Sequence, residues 1–348
     1  MEHQVMWWRK ENFAKKLPFL KKRAGVVDNI RAFFKEKNFY EVETPALQVC
    51  PGMEVHTNFF EVLLESQFDA AKKRYLHTSP EFAMKKLLVA GLDNIFQIAK
   101  VFRNAEVSDH HSPEFSMLEW YRKGADYTAL MNDCEELVRK CAILCDDGIL
   151  KFKDKVCNPN QEWRRCSVAS LFAEYADIDL EKVVGDGLNP DVKIIESEAK
   201  RIGIHIPEGY NFDDIFFKIF MEKIEPNLGM DVPTIVYDYP LCMAALSRKK
   251  PSDGRFAERF ELYICGLELA NAFSELTDAA EQRSRFFKDM EEKKRLYGKY
   301  CNPDEDFLQA LEYGMPESAG IALGVDRLAM LVCGTDDIEN VLWAPIAL

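Results

Sequence analysis

The 348-residue chain has the length of one large or two modest domains, with 47% hydrophobic and 30% charged residues as in ordinary globular proteins. No run approaches the roughly 18 apolar residues of a membrane helix. The charged N-terminal sequence MEHQVMWWRKENFAKK is unlike a signal peptide, so we expect a cytoplasmic protein. A net charge of −13 argues against broad nucleic-acid binding, which needs a cationic surface.

Hydrophobic spacing predicts the elements in chain order, after a basic arm over residues 1–23. Helical periodicity is found over 24–38, 80–88, 125–144, 167–176, 191–201, 211–225 and 281–297. Alternation indicates strands over 39–47 (ending at Pro45), 95–103, 114–121 and 233–241, a hairpin over 258–273, and a strand leading into a helix over 320–332.

Strands and helices do not alternate as βαβ units along the chain. We therefore predict an α+β fold, a mainly antiparallel sheet flanked by helices, formed by a single domain over residues 24–348. The turn-rich stretch 147–230 is interpreted as a helical insertion into that domain.

The usual nucleotide-binding loops are missing from the sequence: there is no GxGxxG after a strand and no GxxxxGK[ST]. Three other segments carry chemistry, namely VFRNAEVSDHHSPEFSMLEWYR (101–122), RFELYICGLELANAFSELTD (259–278) and GIALGVDRLAML (320–331). If this protein binds a nucleotide such as ATP, it must do so with side chains that lie on a sheet.

The predicted hairpin brings two glutamates together. If it turns at 265–266, Glu261 lies opposite Ala270 and Glu268 lies opposite Tyr263. Glu261 and Glu268 are then diagonal neighbours on one face, roughly 7–8 Å apart at the backbone. Two such carboxylates can share Mg²⁺, with phosphates and water completing its shell. The alternative is a solvated acidic face.

The three segments resemble motifs 2 and 3 of class II aminoacyl-tRNA synthetases, and YEVETPAL (40–47) is similar to their motif 1. Within the class, TSPEFAMKKLL, HSPEFSMLEWYR and ELANAFSELTDAAEQ are similar to lysyl-tRNA synthetase. They are most similar to its short paralogues, the elongation factor P–(R)-β-lysine ligases. The match runs from about residue 20 to the C-terminus.

This resemblance implies the class II catalytic fold, a homodimer formed through motif 1, and ATP and Mg²⁺ as cofactors. It also implies an amino-acid substrate, (R)-β-lysine or lysine, and a protein acceptor, elongation factor P. The 23 residues before the first predicted helix cannot hold the five-stranded OB-fold that reads an anticodon in lysyl-tRNA synthetase. We therefore expect no binding of a tRNA anticodon and no membrane association.

The resemblance also assigns the ATP site. Arg103 and Arg327 are the candidate catalytic residues, on the α- and γ-phosphate respectively, because a guanidinium fork suits phosphate oxygens. The matching pair Glu261 and Glu268 holds Mg²⁺ in the family. Phe115 matches the aromatic that stacks on adenine. The predicted ATP-binding residues are Arg103, Asn104, Ala105, Glu106, His111, Ser112, Phe115, Glu268, Leu269, Gly324 and Arg327.

For the amino acid, the resemblance implies a site formed by Ser79, Pro80, Glu81, Tyr121, Glu275 and Ala322. The family's glutamate at the position of Glu275 holds the distal ammonium of lysine. Strict alternation from Glu268 places Glu275 on the opposite face, so we predict a bulge near 271–272. Ser79 and Ala322 replace an alanine and a glycine of lysyl-tRNA synthetase, which favours β-lysine over α-lysine.

Two features depart from the family pattern: the glutamate of motif 2 is displaced by one position, to Glu106, and Ser112 replaces an asparagine. Two alternatives to the ligase stay open. One is a truncated lysyl-tRNA synthetase-like enzyme that acts on tRNA or another acceptor. The other is a non-catalytic paralogue that binds an amino acid or nucleotide and regulates a partner, although the retained arginines and glutamates argue against it.

Overall fold

The computed structural model describes residues 6–244 and 246–346. Its helices are α1 (Lys10–Glu36), α2 (Glu81–Val89), α3 (Tyr127–Ala142), α4 (Val168–Ala176), α5 (Leu180–Val183), α6 (Val192–Arg201), α7 (Phe212–Ile219), α8 (Ala279–Tyr297), α9 (Glu305–Gly314) and α10 (Val325–Cys333). None of the helices in these two ranges is long and apolar enough to cross a membrane.

The strands lie between these helices in sequence and form three sheets in the described residues. They are β1 (Tyr40–Glu41), β2 (Leu47–Gln48), β3 (Phe60–Leu64), β4 (Lys72–Leu76), β5 (Asn94–Phe102), β6 (Glu114–Lys123), β7 (Leu150–Phe152), β8 (Lys155–Cys157), β9 (Arg164–Ser167), β10 (Thr234–Pro240), β11 (Phe256–Ile264), β12 (Leu267–Ser274) and β13 (Ser318–Gly324).

The central sheet has the strand order β1-β5-β6-β13-β12-β11-β10-β9. Its inner pairings are antiparallel, whereas the edge strands β1 and β9 run parallel to β5 and β10. The predicted α+β class is confirmed, and so is the mainly antiparallel sheet. The predicted strand over 39–47 is wrong in extent, because it splits into β1 and into β2, which joins a separate small sheet with β4 and β3.

One face of the central sheet is covered by α1, α3 and α10. Phe34 of α1 stacks on Phe96 of β5 at 4.5 Å between ring centres and lies 5.3 Å from Trp120 of β6. All three side chains are buried, and each such burial is worth about 1.5–3 kcal/mol. The three helices thus cover one face of the central sheet, and the polar side chains lie on its opposite face.

The apolar side chains of α4 to α7 in the insertion at 147–230 form one core with side chains of β10 and β11. Phe172 of α4 and Phe216 of α7 stack at its centre, 4.8 Å apart. The predicted short helices are confirmed, and α7 continues as a π-turn over Phe220–Ile224. Strands β7, β8 and β9 are short pieces that the sequence did not indicate.

Helix α1 begins well before the residue predicted to start it. It runs from Lys10, so the proposed boundary between residues 23 and 24 falls inside a helix. The buried positions Lys16, Leu20 and Arg23 continue the inner face of the later turns, which outweighs the single backbone hydrogen bond lost at Pro18. Residues 1–5 of the predicted arm lie outside the described part.

Candidate active site

The uncovered face of the central sheet lines a cavity of ≈530 Å³. The start of α2 and the loop over 103–113 close its sides. The predicted site residues that line it are Ser79, Glu81, Arg103, Glu106, His111, Ser112, Phe115, Tyr121, Glu261, Glu268, Leu269, Glu275, Ala322, Gly324 and Arg327. Pro80, Asn104 and Ala105 are not among the lining residues.

The hairpin of β11 and β12 turns where predicted, but its register shifts once. The turn residues 265–266 have φ of 52° and 73°, the two positive values that a type I′ turn requires. Beyond them, Leu262 lies opposite Ala270, so Leu269 is an extra residue in β12. The predicted pairing of Glu261 with Ala270 is therefore wrong, since Glu261 faces the next residue along β12.

Because of this extra residue, β12 contributes a carboxylate to each end of the cavity. A bulge reverses the alternation of side chains beyond it, so Glu268 and Glu275 both line the cavity although they lie seven residues apart. The predicted effect of a bulge is confirmed. Its predicted place, 271–272, is wrong, because alternation shows that an extra residue is needed but not where it sits.

Arg103 and Phe115 form one wall of the cavity. The guanidinium carbon of Arg103 lies 5.3 Å from the centre of the Phe115 ring. In the described part of the chain, Nε of Arg103 is buried and has no hydrogen-bond partner. A buried donor without an acceptor costs about 1–3 kcal/mol, so this nitrogen is prepared for an anionic ligand.

Arg327 is held at the first turn of α10 by two acceptors. Its guanidinium donates to the backbone carbonyl of Glu268 at 2.5 Å and to Nε2 of His111 at 2.7 Å. Because a guanidinium only donates, the hydrogen of His111 must lie on Nδ1, which is 2.8 Å from Oγ of Ser108. Burial and the charges of Arg327, His110 and Arg103 lower the pKa of His111 to about 4.

The two glutamates predicted to hold Mg²⁺ differ in their surroundings. Oε1 of Glu261 accepts a hydrogen bond from Arg259 at 2.6 Å, and Oε2 accepts from Tyr239 at 2.6 Å and from Tyr263 at 2.7 Å. The carboxylate of Glu268 accepts no hydrogen bond from the described residues, and burial, then the charge of Glu261, raises its pKa to about 7.

Two neighbouring carboxylates of this kind are suited to a divalent cation, and Glu261 and Glu268 would be the residues that hold it. A positive ion beside Glu268 would favour its ionised form. Over 6–244 and 246–346, no group of three or more His, Cys, Asp or Glu side chains could enclose a metal alone. Phosphate oxygens and water would have to complete the shell, as the sequence predicts.

Three carboxylates line the other end of the cavity, which we call the acidic pole: Glu119 and Glu275 are buried, and the Glu81 side chain is 12% exposed. Lys85 lies one helical turn after Glu81, and its Nζ forms ion pairs with Glu81 Oε1 and, at 2.5 Å, with Glu275 Oε2. The Lys85 side chain is 1% exposed and does not line the cavity. Burial raises the pKa of Glu275 to about 7, an effect that the charge of Lys85 opposes.

Glu119 was not predicted from the sequence. Its Oε1 accepts from Ser79 Oγ at 2.6 Å, and its Oε2 accepts from the Tyr121 hydroxyl at 3.0 Å. Burial and the charge of Glu81 raise its pKa to about 8. Its place two residues before Tyr121 on β6 puts both side chains on the same face, and that spacing could have found it.

β13 forms the floor of the acidic pole. A Cβ atom at Gly320 would lie 2.2 Å from Cε1 of Tyr121 and 2.3 Å from Oε1 of Glu275, so no side chain fits there. Ala322, the next residue on the same face, pairs in register with Glu119. Its methyl group therefore stands at the acidic pole, as its predicted role requires.

Two further acids at the cavity wall were also missed. Asp213 of α7 and Asp289 of α8 line the cavity, and burial raises their pKa values to about 6 and about 7, respectively. Asp213 belongs to the insertion, so the insertion forms part of the wall. The sequence did not indicate Asp213 and Asp289, because each lies on a helix whose sequence predicts an exposed polar face.

Comparison of the sequence with known proteins identifies the family of the chain. Residues 1–347 match the family described as tRNA synthetases class II (D, K and N). The chain belongs to this family, and its α+β fold with the sheet-lined cavity is that of the class II catalytic domain.

Individual proteins of the family are similar to this chain along most of its length. The elongation factor P–(R)-β-lysine ligase of Avibacterium paragallinarum is 40% identical over 321 residues, which cover 92% of each chain. That of Proteus mirabilis (strain HI4320) is 37% identical over 330 residues, or 94% of each. A lysine–tRNA ligase of Prochlorococcus marinus is 35% identical over 336 residues, which are 94% of this chain and 62% of that protein.

Proposed function

We propose that this chain is an ATP-dependent ligase that adenylates (R)-β-lysine and transfers it to a lysine side chain of elongation factor P. Relatives of that name match at 37–40% identity along nearly their whole length. The observation that carries the proposal is a single cavity that joins an arginine-lined end to the acidic pole. Such a cavity aligns a phosphate chain with the carboxylate of an amino acid that carries ammonium groups.

Activation requires the substrate carboxylate to attack the α-phosphorus of ATP while pyrophosphate leaves. Negative charge builds on the phosphoryl oxygens, so fixed cations and in-line positioning supply the catalysis. Arg103 would contact the α-phosphate with its unpartnered Nε, and Arg327 the γ-phosphate. His111 fixes Arg327 without adding charge, since its low pKa keeps it neutral.

The adenine would stack on Phe115, between this ring and the residues of the loop, with Glu106, Ser112, Leu269 and Gly324 as further contacts. Asn104 and Ala105 would act through the loop backbone instead. The Asn104 amide donates to the carbonyl of Asn58 at 2.9 Å, and Ala105 adopts a φ of 66°. Glu261 and Glu268 would hold Mg²⁺, which neutralises charge on the phosphates when bound.

The amino acid would place its ammonium groups at the acidic pole, among Ser79, Glu81, Tyr121, Glu275 and Ala322. Pro80 is the N-cap of α2 and sets the direction in which Glu81 enters the pole. An ammonium group in a buried site needs anionic partners, because an unpaired buried charge is very costly.

The transfer step needs a deprotonated acceptor amine at the adenylate carbonyl, where an amide bond forms and AMP leaves. Asp213 and Asp289 give the cavity wall a negative potential that favours the approach of a cationic side chain.

We also propose a homodimer through the segment around β1. Tyr40, Leu47 and Val49 are 67%, 40% and 49% exposed, an apolar surface suited to a second subunit.

The test is the intact mass of elongation factor P after incubation with this protein and ATP, with (R)-β-lysine or α-lysine. A gain of one lysine residue, faster with the β isomer, is the expected result. No gain while pyrophosphate exchange proceeds would redirect the search to tRNA or another acceptor. No exchange with either amino acid would indicate the non-catalytic paralogue.

A further inference from the structure

The acidic pole contains an internal cation that the chemistry described so far does not use. Lys85 is fully buried, its Nζ forms ion pairs with the carboxylates of Glu81 and Glu275, and it is not among the residues that line the cavity. Removal of its charge would leave two adjacent buried carboxylates without a counter-ion. Its place behind the carboxylates, not among the ligand-facing groups, indicates a role in setting their charge.

The formal charge of the pole follows from its members. When all three carboxylates are ionised, as in the complex with a dicationic ligand, they and the one ammonium leave a formal charge of −2. One further carboxylate, that of Glu54, faces Glu81, and Lys293 of α8 donates to the backbone carbonyl of Glu54 at 2.8 Å. Glu54 and Lys293 carry charges of opposite sign.

We propose that Lys85 is a fixed counter-ion which sets the acidic pole at −2 and thereby matches it to an amino acid with two ammonium groups. This proposal rests on the proposed function and identifies a specificity-determining residue for it. An amino acid with one ammonium group would leave one buried carboxylate unpaired, and that carboxylate would have to keep a proton. Lys85 is a positioning residue, because it touches the carboxylates and not the ligand.

Glu119 provides the second ammonium site. Its partners Ser79 and Tyr121 are neutral donors, whereas the pair Glu81 and Glu275 already shares the charge of Lys85. With a pKa of about 8, Glu119 holds a proton at neutral pH in the free protein. Entry of a second ammonium group releases that proton, since the charged ligand favours the ionised carboxylate.

The first experiment is calorimetric binding of (R)-β-lysine to the wild-type protein and to Lys85→Ala, without ATP or acceptor. We expect at least a tenfold loss of affinity in the variant. Propylammonium reproduces the removed side-chain atoms, and we expect it to restore binding, whereas the neutral isostere propan-1-ol should not. The matched control is Lys86→Ala, because Lys86 pairs with Asp304 and Asp306 outside the cavity and its loss should leave affinity unchanged.

Unchanged affinity in folded Lys85→Ala, or equal rescue by the alcohol, overturns the proposal. A second measurement does not depend on the variant. Titration of the wild-type protein at pH 7 in buffers of different ionisation enthalpy should show more protons released by (R)-β-lysine than by 6-aminohexanoic acid, which lacks one ammonium group. Equal proton release also overturns the proposal.

The two proposals fail in different ways. Binding with the expected proton release, without pyrophosphate exchange or modification of elongation factor P, would reject the ligase and retain the role of Lys85. Modification of elongation factor P by the wild-type protein, together with normal binding of (R)-β-lysine by Lys85→Ala, would retain the ligase and reject the role of Lys85.

Discussion

Arg23 and Asp326 form a buried ion pair at 2.8 Å, which joins the first helix of the chain to the residue beside Arg327. Arg23 also donates to Oγ of Ser116 at 2.9 Å, and the Ser116 amide donates to Asp326 at 2.7 Å. Helix α1 thus braces the phosphate end of the cavity from the opposite face of the sheet.

Arg23→Ala should lower the free energy of unfolding by about 3–5 kcal/mol, because Asp326 would remain buried and unpaired. Urea unfolding measures this. The neighbouring pair of Lys22 and Asp146 serves as a control, since its side chains are 32% and 95% exposed and Lys22→Ala should cost less than about 1 kcal/mol. Equal losses in the two variants would contradict the bracing role.

Arg327→Ala should reduce amino-acid-dependent pyrophosphate exchange by about 10²–10³-fold, by analogy with the removal of one preorganised donor. The protein should stay folded, because its guanidinium faces the cavity. Arg295→Ala, which removes a guanidinium paired with Glu292 on the surface of α8, should retain activity. Full exchange in Arg327→Ala would remove the phosphate assignment.

Glu119 makes stability depend on pH. Its folded pKa of about 8 lies above the ordinary value, so the folded state holds a proton that the unfolded state has lost. Stability is therefore lost as pH rises from the unfolded pKa toward 8. Glu119→Gln should remove up to about 1.4 kcal/mol of this dependence per pH unit. Urea unfolding from pH 5 to 8 tests this, and parallel curves for variant and wild type would refute it.

Gly320→Ala should abolish amino-acid binding, because the added methyl group collides with Tyr121 and Glu275. A Cβ at Gly254 would meet Lys249 Cδ at 3.1 Å, and that flexible side chain can move aside. Gly254→Ala is thus the matched control, with calorimetry and thermal unfolding as measurements. Normal binding by Gly320→Ala would show that this floor is not closely packed.

Ala322→Gly should shift preference toward α-lysine, since it removes the methyl group that faces Glu119 across the strands. One methyl typically discriminates by about 1–3 kcal/mol, or about 10–200-fold. The ratio of pyrophosphate exchange with the two amino acids measures it. An unchanged ratio would eliminate Ala322 as the source of selectivity.

The sequence predicted the elements that depend on local periodicity and the residues that a motif carries. The hairpin, β5, β6 and the strand–helix unit at β13 and α10 follow from alternation and turn chemistry. Arg103, Phe115 and Arg327 follow from the resemblance in motif order, and the structure brings all three to one cavity.

Features that depend on tertiary packing could not be predicted in this way. Lys85 sits on a short amphipathic helix where a lysine normally reaches solvent, and only the approach of Glu275 from a distant strand accounts for its burial. Residues 10–23 of helix α1 were predicted as part of a basic arm, because the partner of Arg23 lies some three hundred residues further along. Asp213 reaches the cavity through the packing of the insertion, and Asp289 reaches it through the packing of α8.

The bulge at Leu269 adds one residue to β12 and so reverses the direction of the side chains that follow it. Without it, regular alternation from Glu268 would turn Ala272 toward the cavity, and Phe273 and Glu275 would point into the hydrophobic layer. The phosphate end would keep its carboxylate while the acidic pole lost its own. One extra residue in β12 thus keeps the carboxylate of the ATP end and the carboxylate of the acidic pole on the same face of the sheet.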